Sequence, residues 1–255
     1  MLPDLETQRS FSLTGNTAPH QPNGAQPQEH TMQKFATPAP ISAVLDIPAG
    51  RIQFIAADRS DTAVEVRPAD ASNGKDVKAA ERIAVEYGDG VLRIAAAEPK
   101  NRLLGNGSGA VEITVQLPAG SKVEAKAAAG ELRGVGRLGD VVFEAAQGSV
   151  KLDEAADAVL SLMAGDVSVG RLTGPAKVDV QKGAIRVAEA VRGTVDLRTE
   201  AGDISVGVAR GVSASLDAGT TYGRIHNALM NAEGPDAGLS IRATTSYGDI
   251  AARSL

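Results

Sequence analysis

The sequence of 255 residues contains no cysteine and no tryptophan, and it has only three tyrosines and four phenylalanines. Without cysteine, a disulfide framework, a thiolate metal site and a cysteine nucleophile are all excluded. With so little aromatic bulk, the core has to be built from Val, Ile, Leu and Ala. The composition therefore favours a narrow aliphatic core over the aromatic-rich core of an ordinary domain of this length.

The chain also lacks an excess of basic charge and a long apolar run. Its 26 basic and 31 acidic residues give a net charge of −5, whereas a duplex-binding domain carries a basic footprint. No apolar run approaches the about 18 residues that span a bilayer, and the first residues have neither a basic n-region nor an apolar h-region. We therefore predict no nucleic-acid partner, no membrane span and a cytoplasmic chain, which would be surface-associated only after export by an unconventional route.

The N-terminal segment differs from the rest of the chain in composition. Residues 1–40 hold six of the twelve prolines and five glutamines, with little apolar periodicity. Such a segment buries too little apolar surface to offset the entropy lost on ordering. We predict a disordered Pro/Gln-rich tail at 1–33, in which His20 and His30 are solvated and do not bind metal.

From residue 130 onward, one phrase recurs: a glycine, a polar or small residue, and alternating aliphatic residues. Two examples are Gly165-Asp-Val167-Ser-Val169 and Gly202-Asp-Ile204-Ser-Val206. The glycines that open the phrases are Gly130, Gly148, Gly165, Gly183, Gly202, Gly223 and Gly248, with spacings of 18, 17, 18, 19, 21 and 25 residues. A period near 18 that lengthens toward the C-terminus is typical of a repeat architecture.

Each repeat contains a second alternating run, such as Ala176, Val178 and Val180. Apolar residues at every second position are typical of a half-buried strand. One such coil cannot bury its own apolar face, but successive coils can when each stacks on the last at about 4.8 Å. The pattern predicts an all-β fold, a β-solenoid or β-helix-like stack of short strands. A sandwich of hairpins is the alternative.

The sequence divides into three predicted parts. The tail at 1–33 is followed by an irregular N-terminal β-section at 34–128 and by the Gly-punctuated solenoid at 129–255. Within the β-section, Lys75–Glu81 is predicted to form a short helix. Asn101–Gly109, with three glycines and two asparagines, is predicted to be an exposed loop.

Two kinds of motif carry a family resemblance. One is a strand that ends in Pro-Ala-Gly, at 47–50 and 117–120, and the other is the tandem Gly-Asp-[Val/Ile] phrase at 165, 202 and 248. With these motifs, residues 41–252 resemble the bacterial putative adhesin family of β-strand-repeat proteins. The resemblance implies a β-solenoid-like fold and a non-enzymatic adhesin-like or scaffold role, with no catalytic residue or cofactor to carry over. Protein or cell-surface contacts would then be made by the rigid solenoid surface.

The second strands place a charged cluster on the outside of the predicted coils. Aligning the second strands of the repeats puts Asp179 and Asp196 in one outward column on adjacent rungs, about 5 Å apart, close to the carboxylate separation of retaining glycosidases. Lys177 and Arg198 lie two residues away on the same faces, and flanking cations hold carboxylates ionised. We therefore predict a surface ion network of these four residues. A carbohydrate-active β-helix enzyme using Asp179 and Asp196 is the alternative.

The position after each turn glycine forms another outward column. Its members are Glu131, Ser149, Asp166, Ala184, Asp203, Arg224 and Asp249. This acid-leaning column lies beside a base-leaning one, which predicts exposed ion pairs between rungs. The Gly-Gly-x-Gly-x-Asp nonapeptide of calcium-binding β-rolls does not occur, so we predict no metal site.

The last coils depart from the pattern. Tyr222 and Tyr247 precede turn glycines, where earlier coils have Ala164 or Ala201, and His226 follows the first of these glycines. Terminal repeats are atypical because they present open strand edges. We predict that these coils form a cap. The alternatives are a contact surface for a partner, formed by Tyr222, His226 and Tyr247, and a sticky end that makes the protein a self-polymerising β-solenoid.

Overall fold

The turn glycines lie directly on top of one another in the computed structural model, which describes residues 32–96, 109–234 and 237–255. A Cβ atom on Gly165 would lie 1.4 Å from the carbonyl oxygen of Gly148, and one on Gly183 would lie 2.0 Å from that of Gly165. The φ angles of Gly165 and Gly183 are 137° and 152°, a region that side-chain-bearing residues avoid. Both constraints explain why the sequence returns to glycine once per coil.

The described residues form sixteen strands and one helix. The N-terminal elements are β1 (Gln33–Ala36), β2 (Ser42–Ala57), β3 (Asp61–Pro68), α1 (Gly74–Glu81), β4 (Ile83–Gly88), β5 (Val91–Ala96) and β6 (Val111–Pro118). The repeat region comprises β7 (Lys122–Ala164), β8 (Val167–Leu172), β9 (Ala176–Lys182), β10 (Ile185–Ala190), β11 (Gly193–Ala201), β12 (Ile204–Val208), β13 (Ala214–Tyr222), β14 (Ile225–Ala228), β15 (Leu239–Tyr247) and β16 (Ile250–Ser254).

The coils stack by parallel pairing, and the β-solenoid prediction is confirmed. β8 pairs with β10 and β10 with β12, while β9 pairs with β11, all in parallel. Val167, Val169, Val178 and Val180 point into the space between the two strand columns and are at most 1% exposed. The hairpin sandwich is excluded in this region because successive coils run in the same direction.

A column of Val, Ile, Leu and Ala fills the interior along the whole stack. Phe54 and Phe143 are among the largest fully buried side chains, and the other buried core residues of the described chain are aliphatic. Three inward threonines replace aliphatic residues near the C-terminal end, and each donates its hydroxyl to the carbonyl of a turn glycine one rung away. These bonds are Thr199 to Gly183 at 3.0 Å, Thr245 to Gly202 at 3.1 Å and Thr220 to Gly248 at 3.0 Å.

The stack begins further toward the N-terminus than the predicted boundary at residue 129. β2 pairs in parallel with β7 from Ser42 to Ala56, and Gly50 lies in register with Gly130. β5 and β6 pair with β2 in parallel, and the antiparallel strands β4, β3 and β1 follow them. The predicted irregular section at 34–128 therefore supplies the first coil as well as an antiparallel end to the stack.

The helix was predicted at Lys75–Glu81 and is found at Gly74–Glu81. The Asn73 side chain accepts a hydrogen bond from the Lys75 N–H at 3.0 Å and caps the first turn. The tail predicted at 1–33 lies outside the described residues apart from its last two, and β1 already begins at Gln33. The loop predicted at Asn101–Gly109 also lies outside them, apart from Gly109.

The last coil of the chain is not the last coil of the stack. β15 pairs with β11 on one side and β13 on the other, and β16 lies between β12 and β14. The C-terminal coil (residues 239–254) is therefore inserted into the stack between the coil at 193–208 and the outer coil (residues 214–228). The prediction of coils stacked in chain order is wrong at this end.

The glycine spacing explains how the insertion is made. After β12 the chain steps outward past one empty rung to β13, and after β14 it returns by one rung to β15. These steps need longer connections, which are the segments 209–213 and 229–238. Because of these longer connections, the last three turn glycines are 21 and 25 residues apart instead of 17 to 19.

Candidate contact surface

The four residues of the predicted ion network lie on neighbouring rungs, but in a different register. Asp196 lies opposite Lys177, and Arg198 lies opposite Asp179. The expected pairing of Asp179 with Asp196 is therefore wrong, because the two carboxylates are offset by two residues. Their Cα atoms are then about 8 Å apart on the spacing of a regular sheet.

Opposite charges are thus direct neighbours in this cluster, as an ion network requires. Even so, none of the four side chains belongs to an ion pair shorter than 4 Å among the residues that the structure describes. The column through Asp196 continues with Arg242 and then Asp217, and the last two are 3.4 Å apart. We call Lys177, Asp196, Arg242 and Asp217 the alternating charge column.

The acidic residues that follow the turn glycines bind the backbone. Asp166 accepts a hydrogen bond from the Ala184 N–H at 2.8 Å, and Asp203 accepts one from the Asp249 N–H at 2.8 Å. These contacts explain the Gly-Asp phrase, because the carboxylate holds the turn of the next coil in the stack. The expectation of simple cross-rung ion pairs along this column was too narrow.

In the outer coil, the residue that follows the turn glycine is a cation, Arg224. Asp249 accepts hydrogen bonds from the Arg224 N–H at 2.9 Å and from Arg224 Nη2 at 2.7 Å. The Arg224 side chain, followed by its backbone N–H, holds the pKa of Asp249 below its usual range. Because the outer coil has arginine at position 224, where the neighbouring coils have Asp203 and Asp249, it offers no carboxylate to a further rung at this position.

Tyr222 and Tyr247 form a parallel stack on the surface near the open end of the solenoid. The ring centroids are 5.0 Å apart and the planes differ by 7°. The two residues are in register on β13 and β15, so the strand spacing itself brings the rings together. Their exposed fractions are 64% and 60%, which is unusual for large side chains held in a fixed relation.

A shallow cleft of about 610 Å³ adjoins this pair. It crosses five rungs, and we call it the tyrosine groove. Its lining includes Gln147, Met163, Gln181, Lys182, Glu200, Ser246 and Tyr247. The groove depends on the insertion of the C-terminal coil, which sets Tyr247 in register with Ala201.

One indirect signal for this groove is present in the sequence. Tyrosine stood at the position of Ala164 and Ala201, but the chain order of the repeats separated Tyr247 from the coils that it joins. His226, the third member of the predicted contact surface, lies on β14 beyond the turn at Gly223, in register with Ala251. It is exposed and takes no part in the tyrosine stack.

The described part of the chain contains no cluster of three or more His, Asp or Glu side chains arranged to hold a metal ion. No helix within 32–96, 109–234 and 237–255 is both long and apolar enough to cross a membrane. The groups that line the tyrosine groove and its edge are aromatic rings, amides, hydroxyls and charges of both signs.

Comparison with known proteins gives a family match and a set of similar folds. The model of the family described as Toastrack DUF4097 matches residues 3–253. No curated protein matches the chain. A putative adhesin from Bacteroides fragilis aligns at 16% identity and a TM-score of 0.54, covering 90% of this chain and 100% of that chain.

Two structures from Parabacteroides distasonis align less closely. One is described as a putative adhesin, with 15% identity, a TM-score of 0.44, and coverage of 87% of this chain and 96% of that chain. The other is described as a putative lipid binding protein, with 12% identity, a TM-score of 0.38, and coverage of 88% and 96%. The Bacteroides fragilis structure shares the overall fold with this chain.

Proposed function

The chain belongs to the Toastrack DUF4097 family, and from this premise we propose that it is a non-enzymatic, adhesin-like scaffold protein. In this role the rigid β-solenoid presents fixed side chains to a protein or a cell surface. The similar structure from Bacteroides fragilis is described as a putative adhesin, which agrees with this role. The proposal assigns the contact to the outward face of β9, β11, β15 and β13.

One observation carries the proposal: Tyr222 and Tyr247 are held parallel while almost two thirds of each residue is exposed. Large aromatic side chains that are ordered without being buried are typical of interaction surfaces. A cap would place its large side chains over the open strand edges. These rings instead stand beside an open groove, which supports the contact surface over the cap.

The register supports a non-enzymatic role. Each carboxylate of the former candidate pair has a cation directly opposite, Lys177 for Asp196 and Arg198 for Asp179. A retaining glycosidase needs two carboxylates about 5 Å apart, whereas the register offsets Asp179 and Asp196 by two residues on neighbouring strands. The proposed function therefore makes and breaks no covalent bond.

Co-sedimentation of the full-length protein with washed bacterial envelopes tests the proposal. We expect saturable binding that is reduced in the double variant Tyr222→Ala/Tyr247→Ala and retained in Met230→Ala. Met230 is a matched control because it is also a large exposed side chain, 56% exposed, but lies in the connection after β14. Absence of saturable binding, or equal binding by both variants, would contradict the proposal.

The cellular location is a separate part of the proposal. A contact role at the cell surface requires the protein in the envelope or external fraction, whereas a scaffold for intracellular partners requires it in the cytoplasm. Fractionation of cells that express the untagged full-length protein separates the two. A purely cytoplasmic distribution would restrict the scaffold role to intracellular partners.

Self-association is a second candidate function, and the open end of the stack favours it. Among the described strands, β13 pairs only with β15 and β14 only with β16, so each has one unpaired edge. Unpaired edges are templates for strand addition. Sedimentation velocity of the full-length protein over a range of concentrations tests this role, and a single concentration-independent species would exclude it.

A further inference from the structure

We propose that the tyrosine groove is a binding site for an uncharged polysaccharide chain, an inference that rests on the proposed function. A sugar ring would lie against Tyr247, and its neighbours along the chain would follow the groove toward β9 and β7. This inference names the partner chemistry of the contact surface. It depends on three observations: the free ring face of Tyr247, the polar groups of the groove, and their balance of charge.

The position of Tyr247 provides the stacking surface. Tyr222 covers one side of its ring at a centroid distance of 5.0 Å, and the residue in register on the opposite side is Ala201. Because alanine is small, the ring stands above its neighbour and exposes a face toward the groove. Tyr222 supports the ring from behind, so that Tyr247 can accept a flat partner without losing its orientation.

The polar groups match the hydroxyl groups of a sugar. Gln147 and Gln181 each offer an amide donor and a carbonyl acceptor, and Ser246 offers a hydroxyl. A sugar hydroxyl can donate and accept, so it can bond to any of these groups. In addition, Met163 contributes an exposed apolar surface next to the amides.

The charge of the groove selects against a highly charged ligand. Lys182 and Glu200 are the charged residues of its lining, and they cancel. A polyanion or an anionic lipid surface is recognised by clustered basic side chains. The groove has no such cluster within its described lining, so an uncharged chain fits it better.

The shape of the groove suits a segment of chain. Five rungs at the strand spacing extend over about 19 Å, and the volume of about 610 Å³ is open along this length. Binding cavities for small molecules are of similar volume but enclose the ligand. A long chain that crosses the sheet face can enter and leave such an open groove.

The experiment is affinity electrophoresis of the full-length protein in native gels that contain dextran, galactomannan or a neutral β-glucan. Alginate, a polyanionic polysaccharide, provides the charge comparison. We expect at least one neutral polysaccharide to retard the protein, and Tyr247→Ala to weaken its apparent affinity by about three- to tenfold. Tyr247→Phe, which keeps the ring, and the control Met230→Ala should retain binding.

Gln181→Ala provides a second variant if Tyr247→Ala lowers the melting temperature, because the Gln181 side chain is exposed on β9. Retardation that is unchanged in both Tyr247→Ala and Gln181→Ala would show that the polysaccharide does not bind in the tyrosine groove. Envelope binding without retardation by any neutral polysaccharide would overturn this inference and leave the proposed function standing. Absence of envelope binding together with absence of retardation would overturn both this inference and the proposed function. Retardation by alginate alone, or binding only to phosphatidylglycerol vesicles, would also overturn it.

Discussion

A Cβ atom on Gly248 would lie 2.0 Å from the carbonyl oxygen of Gly202, although a whole coil of the chain separates the two glycines. The Gly202 N–H donates to the Tyr247 carbonyl at 2.8 Å, and the Gly248 N–H donates to the Tyr222 carbonyl at 3.0 Å. The turn at Gly248 therefore lies between the turn at Gly202 on one side and the outer coil on the other, and both precede it in the chain. This arrangement creates the groove beside Tyr247.

Gly248→Ala should strongly destabilise the protein. The new methyl group would overlap the Gly202 carbonyl, and φ at this position is 154°. We expect the free energy of unfolding to fall by about 2–4 kcal/mol. Urea denaturation followed by circular dichroism measures it. Gly219→Ala is the control, because a Cβ atom there meets nothing within 4 Å, and an equal loss in both variants would contradict the explanation.

Deletion of residues 239–255 should unfold more than the segment that it removes. β13 and β14 have their pairing partners in β15 and β16, so the outer coil at 214–228 would lose its contacts to the stack. Hydrogen exchange should then show unprotected amides throughout 214–228, while β8 to β10 keep their protection. Removal of Leu255 alone is the matched control. Protection of the outer coil in the longer deletion would show that it is stable without the inserted coil.

Much of the fold could be predicted because the constraints are local to each coil. Gly165 is required where its backbone touches the coil below, and Val167 and Val169 alternate because one side of the strand faces the interior. These requirements repeat in every coil and remain visible in the sequence. The order of the last two coils leaves a weaker trace, because a glycine marks a turn but does not specify which rung the chain takes next.

The register of Asp179 and Asp196, by contrast, could have been predicted from the sequence. Counted back from the following turn glycine, Asp179 and Arg198 are each four residues away, while Lys177 and Asp196 are each six away. This count gives the observed register, because the glycines stack and therefore fix the end of each second strand. The alternating apolar residues give the same register, because Ala176 lies opposite Val195 and Val178 lies opposite Leu197. The expected column instead combined Asp179, from the second gap of one apolar run, with Asp196, from the first gap of the next.

The carboxyl group of Asp249 should titrate below its usual pKa of 3.8, because Arg224 donates to it from both its side chain and its backbone. A pKa that is lower in the folded state means that the carboxylate stabilises the fold above about pH 4 and that this contribution is lost as the pH falls through the lowered pKa. The amide resonance of Arg224, followed by NMR, should report a midpoint below 3.8.

Two variants test the assignment of this titration. Arg224→Ala keeps the backbone donor and should return the pKa of Asp249 part of the way toward its usual value. Asp249→Asn should abolish the titration seen at the amide of residue 224. A midpoint at or above the usual value in the unaltered protein would show that these hydrogen bonds do not persist in solution.

The alternating charge column predicts a salt-dependent penalty for reversing one charge. Asp196 lies between Lys177 and Arg242, so Asp196→Lys would place three cations on consecutive rungs. Because these side chains are at the surface, we expect the free energy of unfolding to fall by about 0.5–1 kcal/mol at low ionic strength. In about 1 M salt the penalty should largely disappear, since screening then acts within a few ångströms.

The control for this reversal is Asp58→Lys, at an exposed position in the turn between β2 and β3. Urea denaturation at both ionic strengths should show a salt-sensitive loss for Asp196→Lys and little change for Asp58→Lys. A loss at Asp196 that persists in high salt would mean that packing of the side chain, and not its charge, matters there. The register would still hold in that case, but the column would contribute no electrostatic stabilisation, because charges that act across rungs must respond to screening.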